Sequence, residues 1–211
     1  MIVKEAKFVT SVADKSKLLC SLPEIAFVGR SNVGKSSLIN YLTNRNKLAK
    51  ASSEPGRTRL VNYFSINDEM YFVDLPGYGF ARVSDAEKER WSDLIEGYLL
   101  GSSRLVNVFV ILDIRHEPSE LDRMMIRFLN HYRIGFTIVA TKMDKIKKSL
   151  VAKHVKMLAD SLYLTTASIL PVSSETKQGK ERVLARIEEL LAAHEEAAKE
   201  AAGEEEGETG E

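Results

Sequence analysis

Residues 29–36 place two glycines, a lysine and a serine at the spacing G-x-x-x-x-G-K-S, which is typical of a loop that wraps a phosphate group. The glycines let the chain turn tightly and bring backbone N–H groups close to phosphate oxygens. Lys35 can reach the β- and γ-phosphates, and the Ser36 hydroxyl can coordinate Mg²⁺. We therefore expect nucleotide contacts from Gly29, Arg30, Ser31, Asn32, Val33, Gly34, Lys35 and Ser36.

The flanking sequence fits this reading. Residues 24–28 are mostly apolar and predict a strand, and residues 35–44 predict an amphipathic helix. Strand, glycine loop and helix is the order that the motif needs. The amino end of the helix adds a positive field where the phosphates would lie.

Two further segments could complete the phosphate and magnesium site. In D-x-x-G at residues 74–77, Asp74 can hold Mg²⁺ while the N–H of Gly77 meets the γ-phosphate. In the polar stretch 45–59, the Thr58 hydroxyl can join the Mg²⁺ shell only while a γ-phosphate is present. We expect Lys35, Thr58 and Gly77 to be catalytic, and Ser36, Thr58 and Asp74 to bind the metal. The other predicted contacts here are Gly56, Arg57, Arg59, Leu60, Leu75 and Pro76.

The sequence T-K-M-D at residues 141–144 predicts which base is bound. The Asp144 carboxylate can accept two hydrogen bonds, from N1–H and the 2-amino group of guanine, and adenine has no such pair of donors. The stem of Lys142 can lie along the base. Backbone N–H groups of Ser173, Ser174 and Glu175 could reach the guanine O6. Thr141 and Met143 complete the predicted base site.

Alternating apolar and helical segments predict a three-layer α/β/α, doubly wound, mostly parallel sheet with one antiparallel strand. A strand over 7–13 is expected at an edge, and a hairpin should turn at residues 67–68. Other strands are predicted over 106–112, 135–140 and 169–172, with helices over 84–100, 118–131, 149–162 and from 179. We expect a single domain over 1–196, followed by an acidic, disordered tail over 197–211.

Composition indicates a globular protein of 211 residues, with 44% hydrophobic and 28% charged residues. One cysteine fits a reducing cytoplasm, and neither a membrane-length apolar run nor a secretory signal is evident. The net charge of zero conceals a division: residues 1–180 carry 27 basic and 19 acidic residues, and residues 181–211 carry 3 and 11. A basic body suggests a polyanionic partner.

Four strings together resemble one family: PEIAFVGRSNVGKSSLIN at 23–40, PGRT at 55–58, DLPGYGFA at 74–81 and TKMD at 141–144. They are similar to the bacterial EngB (YihA/YsxC) family, within the TrmE-Era-EngA-EngB-Septin-like P-loop GTPases. The resemblance implies GTP hydrolysis and a role in assembly of the large ribosomal subunit, with rRNA and ribosomal proteins as partners. It also implies a link to cell division and septation, and K⁺ binding by Asn32. We expect a monomer.

The hydrolytic machinery has a gap. Ras-like enzymes place a glutamine after D-x-x-G to orient water, and here that position is Tyr78. We therefore expect slow hydrolysis without a partner. Arg30, Arg57 and Arg82 could supply a cation, and the basic run 142–156 could contact rRNA or simply face solvent. Two alternatives stay open: a P-loop ATPase or kinase acting on a small substrate, and a guanine-nucleotide-binding module that does not hydrolyse.

Overall fold

The computed structural model describes residues 1–49, 60–78 and 85–208. Strands and helices alternate along most of the chain, as the periodicity of apolar residues predicts. In chain order the elements are β1 (Ala6–Val12), β2 (Glu24–Gly29), α1 (Lys35–Thr43), β3 (Val61–Ile66), β4 (Met70–Asp74), α2 (Asp85–Gly101), β5 (Leu105–Asp113), α3 (Glu120–His131), β6 (Phe136–Thr141), α4 (Val151–Leu162), β7 (Ile169–Pro171) and α5 (Lys180–Glu208).

The seven strands form one sheet in the order β1-β3-β4-β2-β5-β6-β7. β3 pairs antiparallel with both of its neighbours, and β2, β4, β5, β6 and β7 are parallel to one another. The predicted fold is confirmed, including the single antiparallel strand, the edge position of β1 and the hairpin turn at residues 67–69.

Helices cover both faces of the sheet, which explains why the central strands are apolar throughout. The helices α2, α3 and α4 pack on one face, around Tyr98, Leu129 and Leu158. The helices α1 and α5 pack on the other, around Leu38 and Ile187. Since β2, β4, β5 and β6 are parallel, their carboxyl ends lie along one edge of the sheet, the usual ligand-binding edge in this architecture.

The last helix differs from our expectation. Composition predicts disorder from residue 197, whereas α5 continues to Glu208. Alanine and glutamate dominate this segment and both have high helix propensity, so an acidic, low-complexity composition is compatible with helix here. Within the described ranges, no helix is both long and apolar enough to cross a membrane.

A buried carboxyl group lies at the amino ends of the strands, opposite the ligand-binding edge. Glu24, the first residue of β2, is fully buried, and its Oε2 accepts hydrogen bonds from the hydroxyls of Tyr98 and Ser102, both at 2.7 Å. Its Oε1 and the nearby Tyr63 hydroxyl have no partner among the described residues. Burial raises the pKa of Glu24 above its usual 4.5, although the two hydrogen bonds oppose the shift.

Replacing Glu24 with glutamine should change how stability depends on pH. Above pH 4.5 and up to the raised pKa, the folded protein binds this proton more tightly than the unfolded chain does, so the free energy of unfolding falls as the pH rises. E24Q has no such proton. Relative to E24Q, the wild type should therefore lose stability with rising pH, by up to about 1.4 kcal/mol per pH unit within that window.

Urea unfolding at a series of pH values from 4.5 upward measures this difference. Glu69→Gln is the matched control, because Glu69 is exposed in the turn between β3 and β4. A difference between wild type and E24Q that does not vary with pH would contradict a raised pKa for Glu24.

Candidate nucleotide-binding site

Several backbone N–H groups of the loop 29–36 have no acceptor among the described residues. β2 ends at Gly29 and α1 begins at Lys35. Gly34 has φ +104°, in the left-handed region that favours glycine, and α1 begins there without a side-chain cap. Among the described residues, no acceptor is found for the N–H groups of Asn32, Gly34, Lys35 and Ser36. Unpaired amides at a helix amino end bind anions, so the loop fits a phosphate chain.

Lys35 and Asp74 form a buried ion pair beneath this loop. The Lys35 Nζ contacts Asp74 Oδ1, and both side chains are nearly inaccessible to solvent. Asp74 ends β4, which lies beside β2 in the sheet, so adjacent strand ends bring the two together. The Asp74 carboxylate and the hydroxyl of Ser36, the residue after Lys35, are hard oxygen donors of the kind that Mg²⁺ prefers. Asp74 and Ser36 thus fit a magnesium site. The ion pair between Lys35 and Asp74 keeps both of those charges compensated.

Side chains of the T-K-M-D segment hold the phosphate loop by its carbonyl groups. The Thr141 hydroxyl lies 2.6 Å from the Val33 carbonyl oxygen and 3.0 Å from that of Leu112. The Lys142 ammonium donates to the Asn32 carbonyl at 2.8 Å. The segment predicted to read the base therefore also fixes the shape of the loop that takes the phosphates.

Asp113, at the end of β5, is a site residue that the sequence analysis missed. Its carboxylate contacts Lys142 Nζ at 3.0 Å and Arg115 Nη2 at 2.7 Å. Partial burial acts to raise its pKa, but the hydrogen bonds from Arg115 and Lys142 outweigh that effect and hold the pKa well below the usual range. Asp113 stays ionised at neutral pH and orients the Lys142 ammonium toward the loop.

Asp144 is held by a hydroxyl from the neighbouring strand end. Ser173 donates to Asp144 Oδ1 at 2.6 Å, and Lys145 contacts Oδ2 at 3.2 Å. The Ser173 hydrogen bond lowers the pKa of Asp144, with a smaller contribution from Lys145, while burial opposes them. The carboxylate is therefore ionised and fixed in orientation, as an acceptor for two base N–H groups requires.

Ser173 has a role that differs from the predicted one. Its N–H donates to the Gln178 carbonyl at 3.0 Å, and the Gln178 N–H donates back at 3.0 Å. The Ser173 amide is thus already used within the loop 173–178. It does not lie free for the guanine O6, and of the three predicted amides those of Ser174 and Glu175 remain for that purpose. The hydrogen bond of the Ser173 hydroxyl to Asp144, 29 positions away in the chain, was not predicted.

The D-x-x-G segment lies against the phosphate loop. A side chain at Gly77 would come within 3.2 Å of the Gly29 carbonyl oxygen and 3.4 Å of the Ser31 nitrogen. The next residue, Tyr78, is buried and its hydroxyl donates to Asp122 Oδ1 at 2.8 Å. Burial foremost, and then the neighbouring carboxylate, raise the pKa of Tyr78 well above its usual value. Tyr78 is consequently a neutral donor here.

Most of the remaining predicted residues lie in or beside these segments. Leu75 and Pro76 are buried between Asp74 and Gly77, Met143 donates its N–H to the Val172 carbonyl at 3.1 Å, and Arg30 is exposed on the loop. Leu60 precedes β3 and is partly buried. The predicted contacts Gly56, Arg57, Thr58 and Arg59, and the candidate Arg82, lie outside the described residues.

Comparison with known proteins identifies the family and the fold. A family model described as "50S ribosome-binding GTPase" matches residues 24–142, the span from β2 through the T-K part of the base motif. Among solved structures, a crystal structure of a probable GTP-binding protein engB superposes with a TM-score of 0.67 at 26% identity, covering 81% of this chain and 99% of that one.

Curated relatives match over nearly the whole chain. The probable GTP-binding protein EngB of Clostridium kluyveri is 49% identical over 193 residues, which cover 90% of this chain and 98% of the relative. That of Clostridium acetobutylicum is 48% identical over 189 residues, covering 89% and 94%. These identities and the shared domain show that the chain belongs to the EngB family of GTP-binding proteins and is a P-loop GTPase.

Proposed function

We propose that this GTPase binds GTP and GDP with Mg²⁺ and acts as a slow switch in the assembly of the large ribosomal subunit. Its contribution to cell division and septation would follow from that role. The observation that carries guanine recognition is the Asp144 carboxylate, fixed by the Ser173 hydroxyl at 2.6 Å beside the phosphate loop. We further propose that it acts as a monomer in the cytoplasm, with rRNA and ribosomal proteins as its partners.

Base and phosphate recognition are linked through the lysine of the base motif. Lys142 donates to the Asn32 carbonyl and pairs with Asp113, so its stem is stretched along the edge of the proposed base site. The base would lie against that stem, with Asp144 accepting from N1–H and the 2-amino group. Ser174 and Glu175 would close the site at O6.

The phosphate end of the site is built around the Lys35–Asp74 pair. Lys35 would turn from Asp74 to the β- and γ-phosphates, while Asp74 and Ser36 would hold Mg²⁺. The metal would neutralise charge on the β- and γ-oxygens. Thr58 would complete the metal site and Gly77 would donate its N–H to the γ-phosphate. Lys35 would then pair with the phosphates and Asp74 with Mg²⁺ instead of with each other, so neither charge would be left unpaired.

Water activation is the incomplete part of the site. Tyr78 occupies the position that glutamine has in Ras-like enzymes, and its hydroxyl already donates a hydrogen bond to Asp122. A ribosomal particle would therefore supply what the isolated protein lacks. Asn32 supports a role for K⁺: its side chain is exposed at φ +62° on the loop, next to the proposed phosphate site.

Support for a ribosomal partner comes from the matching family, whose description is "50S ribosome-binding GTPase". Four exposed lysines lie around the amino end of α4 and supply positive charge suited to an RNA partner. They are Lys145, Lys147, Lys148 and Lys153. Family membership favours this function over the alternative of a P-loop ATPase or kinase.

Asp144→Asn should weaken guanine binding and change base preference. Ser173 can keep its bond to the remaining oxygen, so the new amide would face the base and offer donors where acceptors are needed. We expect GDP affinity to fall about 100-fold, since two charge-assisted hydrogen bonds are lost. Xanthosine diphosphate, which has an acceptor at C2, should bind the variant better than GDP does.

Isothermal titration with GDP, ADP and xanthosine diphosphate measures these affinities. Asp160→Asn is the control, because Asp160 is exposed and pairs only with Lys156 among the described residues. If D144N kept the wild-type preference for GDP, the assignment of Asp144 to the base would be wrong.

Hydrolysis by the isolated protein should be slow and should depend on the monovalent cation. We expect single-turnover rates on the order of 10⁻³ s⁻¹ in Na⁺ buffer and several-fold faster in K⁺ buffer. Asn32→Gly should abolish the difference, because glycine tolerates the positive φ while removing the side-chain oxygen. Equal wild-type rates in both buffers would rule out the K⁺ site.

Association with ribosomal subunits should depend on the nucleotide. We expect co-sedimentation with purified large subunits to be stronger with the non-hydrolysable analogue GMPPNP than with GDP, because only a γ-phosphate orders the segments that would form the binding surface. Small subunits serve as the control. Equal sedimentation with large and small subunits, or none with either nucleotide, would contradict the proposed ribosomal role.

A further inference from the structure

Lys142 adopts a backbone conformation that is unusual for a lysine. Its φ is +61°, in the left-handed region, which costs free energy for residues other than glycine. The conformation turns the chain between Thr141, where β6 ends, and the residues Met143–Lys145, which contain Asp144. A residue in such a conformation persists only where its surroundings hold it. The contacts of its side chain therefore bear on the shape of the proposed base site.

Two acceptors hold the far end of the Lys142 side chain. The ammonium donates to the Asn32 carbonyl at 2.8 Å and contacts Asp113 Oδ2 at 3.0 Å. Asn32 belongs to the phosphate loop, whereas Asp113 ends β5. Among the described residues, Asp113 is the one anion that contacts this ammonium, and it holds the lysine stretched along the edge of the site.

Arg115 fixes the carboxylate of Asp113 in turn. Its backbone N–H and its Nε donate to Oδ1 at 3.1 and 2.9 Å, and its Nη2 donates to Oδ2 at 2.7 Å. The Asp113 side chain is 14% exposed and cannot turn away without breaking these bonds. Oδ2 therefore takes both cations, the Lys142 ammonium and the Arg115 guanidinium, at a place set by the bonds from Arg115.

Loss of the Asp113 charge would release Lys142. The two cations that now share Oδ2 would repel each other, and the lysine would keep only the Asn32 carbonyl. Thr141 and Asp144 are held by hydrogen bonds to other groups. Lys142 is consequently the residue of the base motif whose position depends on Asp113.

We propose that Asp113, oriented by Arg115, is a positioning residue for guanine nucleotides, and that it acts by keeping the Lys142 stem stretched where the base lies. This inference rests on the proposed function and adds two residues to the same site. Asp113 acts through the lysine and not by touching the nucleotide. The gain in affinity arises because a wall that is already in place need not be ordered when the ligand binds.

The charge of Asp113 taken alone predicts the opposite effect. A carboxylate near the phosphate loop repels an anionic ligand, so its removal would strengthen nucleotide binding if positioning played no part. Positioning predicts weaker binding. The two explanations therefore differ in sign.

Asp113→Asn, Lys142→Met and the double variant test the proposal. Isothermal titration with GDP and Mg²⁺ should show D113N binding about 10-fold more weakly than the wild type, since GDP must then order a long side chain. Methionine at 142 keeps most of the stem and lacks the ammonium that Asp113 holds. D113N/K142M should therefore bind GDP within about twofold of K142M alone, because Asp113 has nothing left to position.

Asp160→Asn is the matched control. Asp160 also accepts from a lysine, with Lys156 Nζ 2.9 and 2.8 Å from its two oxygens, but it lies near the carboxyl end of α4. D160N should keep the wild-type affinity for GDP. Urea unfolding without nucleotide shows that each variant is folded. A D113N variant that binds GDP as tightly as the wild type, or more tightly, would overturn the proposal.

Arg115→Met is a second variant that leaves the core untouched, because Arg115 is exposed. It keeps the Asp113 charge and removes the two side-chain bonds that orient it. We expect a loss of about threefold in GDP affinity with Lys142 present and none with methionine at 142. A loss of equal size in both backgrounds, for D113N or R115M, would overturn the positioning role. Failure of the wild type to bind GDP would instead overturn the proposed function itself.

Discussion

Thr141 and Lys142 make hydrogen bonds to two carbonyl groups of the phosphate loop, and the rest of the site depends on these bonds. A loop whose amides point outward must point its carbonyls inward, and the buried ones need donors. The Thr141 hydroxyl lies 2.6 Å from the Val33 carbonyl and the Lys142 ammonium 2.8 Å from that of Asn32. Both donors belong to the segment that ends β6. The segment proposed to read the base therefore also shapes the phosphate loop.

Buried polar pairs along this edge serve specificity more than stability. The Lys35–Asp74 pair and the Tyr78–Asp122 bond are almost inaccessible to solvent. Removing the charges of Lys35 and Asp74 from water costs about as much as their attraction returns, so a well-packed apolar pair could serve the fold as well. An apolar pair could not exchange partners when a charged ligand arrives. In the function proposed above, these internal contacts would be replaced when the nucleotide and its metal bind.

The sequence predicts the elements well because their signals are local. The apolar stretch 106–112 became β5 (Leu105–Asp113), and each glycine or carboxylate motif lies at a strand end, where loop chemistry can be foreseen. The contacts of Tyr78 with Asp122 and of Ser173 with Asp144 span 44 and 29 positions of the chain. No spacing rule connects such residues, since only the parallel sheet brings them together. The helix over 197–208 was missed for another reason: composition alone does not separate disorder from an Ala/Glu helix.

Two tyrosine–carboxyl bonds at opposite ends of the sheet have different structural surroundings. Tyr98 on α2 and Glu24 on β2 both lie inside regular elements, so breaking their bond means displacing packed structure. Tyr78 lies past the end of β4, and among the described residues two backbone hydrogen bonds and one from the Ser31 hydroxyl join it to the phosphate loop. Opening free energies fall toward the ends of elements, where fewer contacts break together. The same chemical bond therefore joins two regular elements at one end of the sheet, and at the other end it joins a helix to the chain that leaves the sheet.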